Sequence, residues 1–139
     1  MVKKFTLVIC LGLVGWVLYF VADIYDWPPQ PKTKYDVEII SKTIELLNHN
    51  DVWDKQDDRY CKFPSEKLSL YCALKKASLD VSGDFHHESA VMEAVRDSII
   101  KSQPTQKYQH LLMDYNNSKT VSLKQVHAVL EQAKIEVLQ

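Results

Sequence analysis

Four side chains in the second half of the chain have the chemistry of metal ligands. His86 and His87 are adjacent, while His110 and Asp114 are four residues apart and would share one face of a helix. If the two pairs met, they would offer nitrogen and oxygen ligands for a divalent metal, and with it a small metal-dependent hydrolase or other enzyme. The spacing lacks the His-Glu-x-x-His form of zinc proteases. The alternative, which we favour, is that His86 and His87 form a polar helix entry and that His110 and Asp114 form a capping or surface pair.

A second group of side chains could contribute to a binding pocket, namely Trp53, Asp114, Tyr115 and Asn116. The segment 114–118 reads Asp-Tyr-Asn-Asn-Ser, and such short polar side chains often bond to the backbone of a turn. We expect this turn to end one helix and to orient the next. In the functional alternative, Asp114 and Asn116 line a pocket together with His86 or His87.

The acidic loop from Asp51 to Asp58 resembles a calcium-binding loop in composition only. It has no glycine at the sixth position and no glutamate at the twelfth, so a solvated loop is the better interpretation. The sequence also has no Gly-x-Ser-x-Gly elbow and no phosphate-binding glycine loop, and the chain contains three glycines in all. We therefore expect no cofactor and no catalytic residues of those classes.

Two cysteines, Cys61 and Cys72, lie in the polar part of the chain, and Cys10 lies in its apolar N-terminal run. A disulfide between Cys61 and Cys72 is one interpretation if this part of the chain faces an oxidising compartment. The other interpretation, which we favour, places Cys72 in the middle of an apolar helix as a free, buried thiol. Apolar neighbours would raise the pKa of that thiol, so a catalytic cysteine is not expected.

Hydrophobic spacing predicts an all-α domain of about five helices and no sheet. The first helix is predicted between Tyr35 and Leu47, and the second begins near Pro64 and ends at Gly83, which suits a C-terminal cap. The others are a third from Glu88 to about Gln103, a short fourth with Tyr108, Leu111 and Leu112, and a last that begins with the capping-box pair Ser122 and Gln125.

Three short motifs occur in an order that resembles a group of small bacterial all-helical domains of unknown function. The motifs are Asn50-Asp51-Val52-Trp53, Leu70-Tyr71-Cys72-Ala73-Leu74 with Ala77, and Leu112-Met113-Asp114-Tyr115-Asn116-Asn117 before a closing amphipathic helix. The resemblance covers about Tyr35 to Ala133 and implies a helical fold without implying an activity. The chain departs from the pattern at Lys75, near which a Gly-Ala-Leu run is often expected, and in its N-terminal run.

That run, Phe5 to Ala22, contains eighteen residues without a charge, which is about the minimum for a membrane-spanning helix. Val21 and Phe20 precede Ala22 where a signal-peptidase site needs small residues, so an uncleaved anchor in the lipid bilayer is favoured over a cleaved signal peptide. Lys3 and Lys4 lie immediately before the run. Lys32 and Lys34 equal them in number on the other side, but Lys3 and Lys4 are closer to the run and therefore favour a cytoplasmic N-terminus and a periplasmic or extracellular domain.

The predicted organisation is an anchor at 1–27, a proline-rich spacer at 28–34 and a helical domain at 35–139. Once the four lysines and two aspartates of residues 1–34 are set aside, the domain has 13 Lys and Arg and 16 Asp and Glu, so its charge is −3. A mildly acidic body disfavours nucleic acid as a partner. We expect a single-pass membrane protein whose domain binds a protein partner as an accessory component. The alternatives are the metal-dependent enzyme described above and a membrane-bound immunity-type protein.

Overall fold

The computed structural model describes residues 32–139, and the predicted anchor at Phe5 to Ala22 lies outside them. Within this range no helix is both long enough and apolar enough to span a bilayer.

The described chain folds into five α-helices, which confirms the all-α prediction. Residues 32–139 contain no strand, and a single isolated bridge joins Trp53 to Leu68. The helices are α1 (Asp36–Leu46), α2 (Leu70–Ser82), α3 (Ala90–Ser102), α4 (Leu111–Asn117) and α5 (Leu123–Leu138).

Each of the four longer helices turns one apolar face toward a shared core. Helix α5 packs against α1 and α3, α1 packs against α2, and the short α4 contacts α2 and α3. This arrangement follows from apolar residues at helical spacing, which place one stripe of each helix out of water. Fully buried side chains at the centre of the core include Ile40, Leu74, Val95, Ile99 and Leu130.

Two helix ends agree with their sequence signals. Ser122 and Gln125 form a capping box in which the Ser122 hydroxyl accepts from the Gln125 amide and the Gln125 side chain accepts from the Ser122 amide. Gly83 follows α2 with φ +78°, a left-handed conformation that glycine adopts without a steric penalty.

The predicted start of the second helix near Pro64 is wrong, because α2 begins at Leu70. The Leu68 amide donates to the Val52 carbonyl at 2.8 Å, and the Leu68 carbonyl accepts from the Asp54 amide at 2.9 Å. Backbone groups engaged in this bridge are not available to a helix. Ser69 then caps the helix, since its hydroxyl accepts from the Cys72 amide at 3.2 Å.

The predicted turn at 114–118 is placed too early, since its first four residues form the last part of α4, although the helix does end within it, with Ser118 as the C-cap. Asp114 lies in the first turn of this helix, where its Oδ2 accepts from the amides of Gln109 and His110, both at 2.8 Å. A carboxylate there satisfies amides that have no partner within the helix. The asparagines that suggested a turn bond to another part of the chain.

Candidate functional site

The four predicted metal ligands do not come together. His86 Nε2 lies 2.8 Å from Asp84 Oδ2, and both side chains are exposed. The His87 ring stacks on the Tyr71 ring with centroids 5.6 Å apart, and its Nε2 lies 3.3 Å from the Tyr71 hydroxyl. The two adjacent histidines therefore have separate partners.

The remaining pair has a structural role in α4. Asp114 accepts from two backbone amides at the start of that helix, as the capping alternative anticipated, although the His110 side chain does not cap. Among residues 32–139, no three His, Cys, Asp or Glu side chains are grouped so that they could hold a metal ion. The predicted metal site of His86, His87, His110 and Asp114 is therefore not assembled in the described domain.

Trp53 and Asn116, two of the predicted binding residues, contact each other in the interior. The Trp53 Nε1 donates to Asn116 Oδ1 at 2.8 Å, and the Leu70 amide donates to the same oxygen at 3.0 Å. The Asn116 Nδ2 donates to the Asp54 carbonyl at 2.9 Å. One fully buried amide thus joins α4 to the start of α2 and to the loop that contains Trp53.

Asn117 extends this connection along the same loop. Its Oδ1 accepts from the Asp57 amide at 2.7 Å, and its Nδ2 donates to the Asp57 carbonyl at 2.9 Å. We call Trp53, Asn116 and Asn117 the loop clamp. Its bonds satisfy the polar groups of an irregular segment that would otherwise require water.

The structure contains a disulfide between Cys61 and Cys72, so the favoured prediction of a free Cys72 is wrong. The two Cα atoms are 5.4 Å apart and the S–S distance is 2.04 Å. The error follows from the misplaced helix start. Because α2 begins at Leu70, Cys72 lies in its first turn, where its side chain meets the returning loop.

Asp57 has the one buried side-chain oxygen or nitrogen of residues 32–139 that lacks a hydrogen-bond partner. It is 5% exposed, its Oδ1 accepts from the Arg59 amide at 2.7 Å, and its Oδ2 has no hydrogen-bond partner among residues 32–139. Burial raises the pKa of this carboxyl, although the Arg59 amide and the nearby Ser69 side chain oppose the rise. A polar pocket of about 220 Å³ lies beside it, next to the disulfide.

A larger cavity, of about 490 Å³, lies between α3 and α5, and we call it the α3–α5 groove. Ser98, Lys101, Ser102 and Gln103 line it from α3 and its C-cap, Tyr115 from α4, and Gln125, Ala128, Val129 and Gln132 from α5. Its volume falls in the range of pockets that bind small molecules or short segments.

Tyr115, another predicted binding residue, contributes to this groove. It is 1% exposed, and its hydroxyl forms no hydrogen bond with any residue of the described range. Burial, and secondarily the nearby Tyr108, raises the pKa of Tyr115 to about 12, so the hydroxyl is a neutral donor at physiological pH. The Tyr108 hydroxyl instead donates to Gln103 Oε1.

Lys101, one of the residues that line the groove, forms an ion pair with Glu136. Lys101 Nζ lies 2.8 Å from Glu136 Oε1, and Gln132 Nε2 donates to the same oxygen at 3.3 Å. Burial tends to raise the pKa of Glu136, but the bonds from Lys101 and Gln132 outweigh that effect and lower it. Lys32, the first described residue, donates to the Glu136 carbonyl at 3.0 Å, so the start of the described chain lies near this ion pair.

The lining of the groove is mostly polar and uncharged. Among the described residues that line it there is no histidine, cysteine or carboxylate, and its titratable side chains are those of Lys101 and Tyr115. Sequence reasoning missed its glutamines, Gln103, Gln125 and Gln132. The one available signal was the spacing of seven residues between Gln125 and Gln132, which places both on one side of α5.

Comparisons of the chain with models of known protein families, with curated proteins and with solved structures found no match. The resemblance to small bacterial helical domains therefore stays a prediction.

Proposed function

We propose that this chain is a membrane-anchored helical domain that binds a protein partner, as an accessory component of a membrane-associated assembly. The anchor is the apolar run at 5–22, and the domain at 35–139 lies on the periplasmic or extracellular side.

One observation carries the binding part of the proposal. The α3–α5 groove is lined by Tyr115, a 1%-exposed residue whose hydroxyl has no hydrogen-bond partner among residues 32–139. A hydroxyl on a side chain that is otherwise buried, and that has no partner in the protein, must take water or a ligand as its partner. The groove is therefore our candidate for the contact surface.

The disulfide supports the proposed side of the membrane. Bonds such as the one between Cys61 and Cys72 form and persist in the periplasm or outside the cell, whereas cytosolic thiols are kept reduced. This agrees with the orientation that Lys3 and Lys4 predict, through an independent physical argument.

Crosslinking in cells tests the proposal. The full-length protein and a chain that ends at Lys34 are expressed at equal levels, crosslinked and analysed by mass spectrometry. We expect one protein partner, in reproducible stoichiometry, only with the full-length chain. If both chains capture the same proteins, or if neither captures any, the domain is not an interaction module.

The same experiment addresses location, because the compartment of the captured partner must match that of the domain. A partner that resides only in the cytoplasm would overturn the proposed orientation.

A further inference from the structure

We infer that the α3–α5 groove binds the main chain of an extended polypeptide segment supplied by the partner. This inference rests on the proposed function and names what the groove recognises. It depends on hydrogen-bond donors of the groove that have no protein acceptor, on the spacing of its glutamines and on its charge.

Three donors at the groove have no acceptor among residues 32–139. The Tyr115 hydroxyl is one, and the Nε2 atoms of Gln103 and Gln125 are the others, since the bonds of these two glutamines use their Oε1 atoms. Gln125 is exposed and Gln103 is partly exposed, so water satisfies these amides in the free protein, and a ligand that displaces the water must present acceptors. Main-chain carbonyl oxygens are strong acceptors and recur at every residue of a polypeptide.

The glutamines also match the spacing of an extended chain. Gln125 and Gln132 are seven residues apart on α5, which places them about 10 Å apart along the helix axis. Three residues of extended polypeptide cover about the same length. Since a glutamine amide both donates and accepts, it can pair with either polar group of a peptide unit.

The charge of the groove favours a neutral ligand. Its lysine, Lys101, is paired with Glu136 at 2.8 Å, so the ion pair leaves little net charge for an anion or a cation to neutralise. Peptide units are polar and uncharged. Ala128 and Val129 add an apolar strip between the two glutamines, against which a partner side chain can pack.

The test uses the full-length protein in lipid nanodiscs and a phage-displayed library of random octapeptides. Phage that bind empty nanodiscs are removed first, and the strongest remaining peptide is synthesised with a fluorophore so that its dissociation constant can be measured by anisotropy. The inference predicts that such a peptide emerges and that binding saturates at one peptide per chain. A library that yields no binder overturns the inference.

Two tryptophan substitutions on one helix locate the site. Ala128→Trp fills the groove and should abolish binding, whereas Glu131→Trp, at an exposed position of α5 outside the lining, should not change it. Circular dichroism confirms that both variants fold. A peptide that still binds to Ala128→Trp binds elsewhere and overturns the inference.

Two further changes distinguish main-chain recognition from recognition of side chains. Tyr115→Phe removes only the unpartnered hydroxyl and should weaken binding about 2- to 10-fold. Replacement of single peptide bonds in the ligand by esters changes the main chain alone, and at least one replacement should weaken binding by a similar factor. Affinity that is unchanged across the whole ester series would overturn main-chain recognition.

Failure of the α3–α5 groove to bind a peptide can be distinguished from failure of the proposed function. If Ala128→Trp still captures the partner in cells, the domain binds proteins through another surface. If no partner is captured by the full-length chain, the interaction module itself is excluded.

Discussion

The indole nitrogen of Trp53 donates a hydrogen bond of 2.8 Å to the side-chain oxygen of Asn116, 63 positions later in the chain. The same oxygen accepts from the Leu70 amide, and the amide nitrogen of Asn116 donates to the Asp54 carbonyl. Three separate segments therefore depend on one buried side chain. Trp53 and Asn116 are structural partners in the described domain, which explains why neither residue lines the groove.

Replacement of Asn116 by alanine should destabilise the domain by roughly 2–4 kcal/mol, because it leaves two buried donors and a carbonyl without their partner. The free energy of unfolding is measured by urea titration with circular dichroism as the signal. Asn48→Ala, at an exposed position, is the matched control. A loss below about 0.5 kcal/mol would mean that the loop clamp contributes little to stability.

Reduction of the disulfide should lower the free energy of unfolding by about 3 kcal/mol, since a closed loop of this length restricts the unfolded chain by about that amount. Urea titrations of the oxidised protein and of the Cys61→Ser, Cys72→Ser double variant measure the difference. In cells, alkylation before and after reduction reports the redox state directly. Two freely alkylated cysteines in the mature protein would contradict both the bond and the proposed compartment.

Asp57 should make the domain less stable as the pH rises. Burial raises the pKa of Asp57 in the folded state above the value of 3.8 for an unperturbed aspartate. The contribution of Asp57 to the free energy of unfolding is therefore most favourable below pH 3.8. The contribution is lost as the pH increases through the folded-state pKa. Asp57→Asn keeps an acceptor for the Arg59 amide and removes the buried charge. The stability of the variant relative to the wild type should therefore increase from pH 3 to pH 8.

Urea titrations at several pH values measure this difference, and Asp51→Asn, at a fully exposed position, provides the charge-matched control. A difference between Asp57→Asn and wild type that stays constant with pH would show that Asp57 does not titrate differently in the two states.

Tyr115→Phe should leave the free energy of unfolding within about 0.5 kcal/mol of the wild type at pH 7, because the lost hydroxyl has no protein partner in the described range. At high pH the stabilities of the wild type and of Tyr115→Phe should diverge. The folded pKa of about 12 exceeds the ordinary value of 10.0, so the wild type loses stability as the pH rises between them and the phenylalanine variant loses less. Thermal unfolding at pH 8 and pH 11 tests both statements.

Asp114→Ala should cost about 1 kcal/mol of stability, because the amides of Gln109 and His110 lose their acceptor at the start of α4. The same substitution should not alter the metal content of the purified protein, measured by mass spectrometry. Loss of a stoichiometric metal in the variant would reinstate the metal site that the sequence suggested.

Local sequence signals predicted the helices wherever short-range bonds decide the structure. The capping box of Ser122 and Gln125 and the left-handed Gly83 are set by side chains within three or four residues, and both agree with the structure. The predicted apolar faces of the helices also agree with the structure, because the spacing of apolar residues on a helix depends on helix geometry alone.

The start of α2 could not be predicted locally, because it depends on a bridge between Leu68 and residues near Trp53. That error led directly to the wrong expectation for Cys72. A preference for helix amounts to tenths of a kcal/mol per residue, and the backbone bonds and disulfide formed by distant parts of the chain outweigh it.

The sequence by itself determined an all-helical domain after an apolar N-terminal run, with several of its helix ends, because periodicity and capping act over a few residues. Only the tertiary structure decided that the Asn116 side chain bonds to a distant loop, that Cys61 and Cys72 are joined, and that Tyr115 and three glutamines line one groove. These arrangements bring together residues that belong to different segments of the chain, and their energies arise only once the helices have packed.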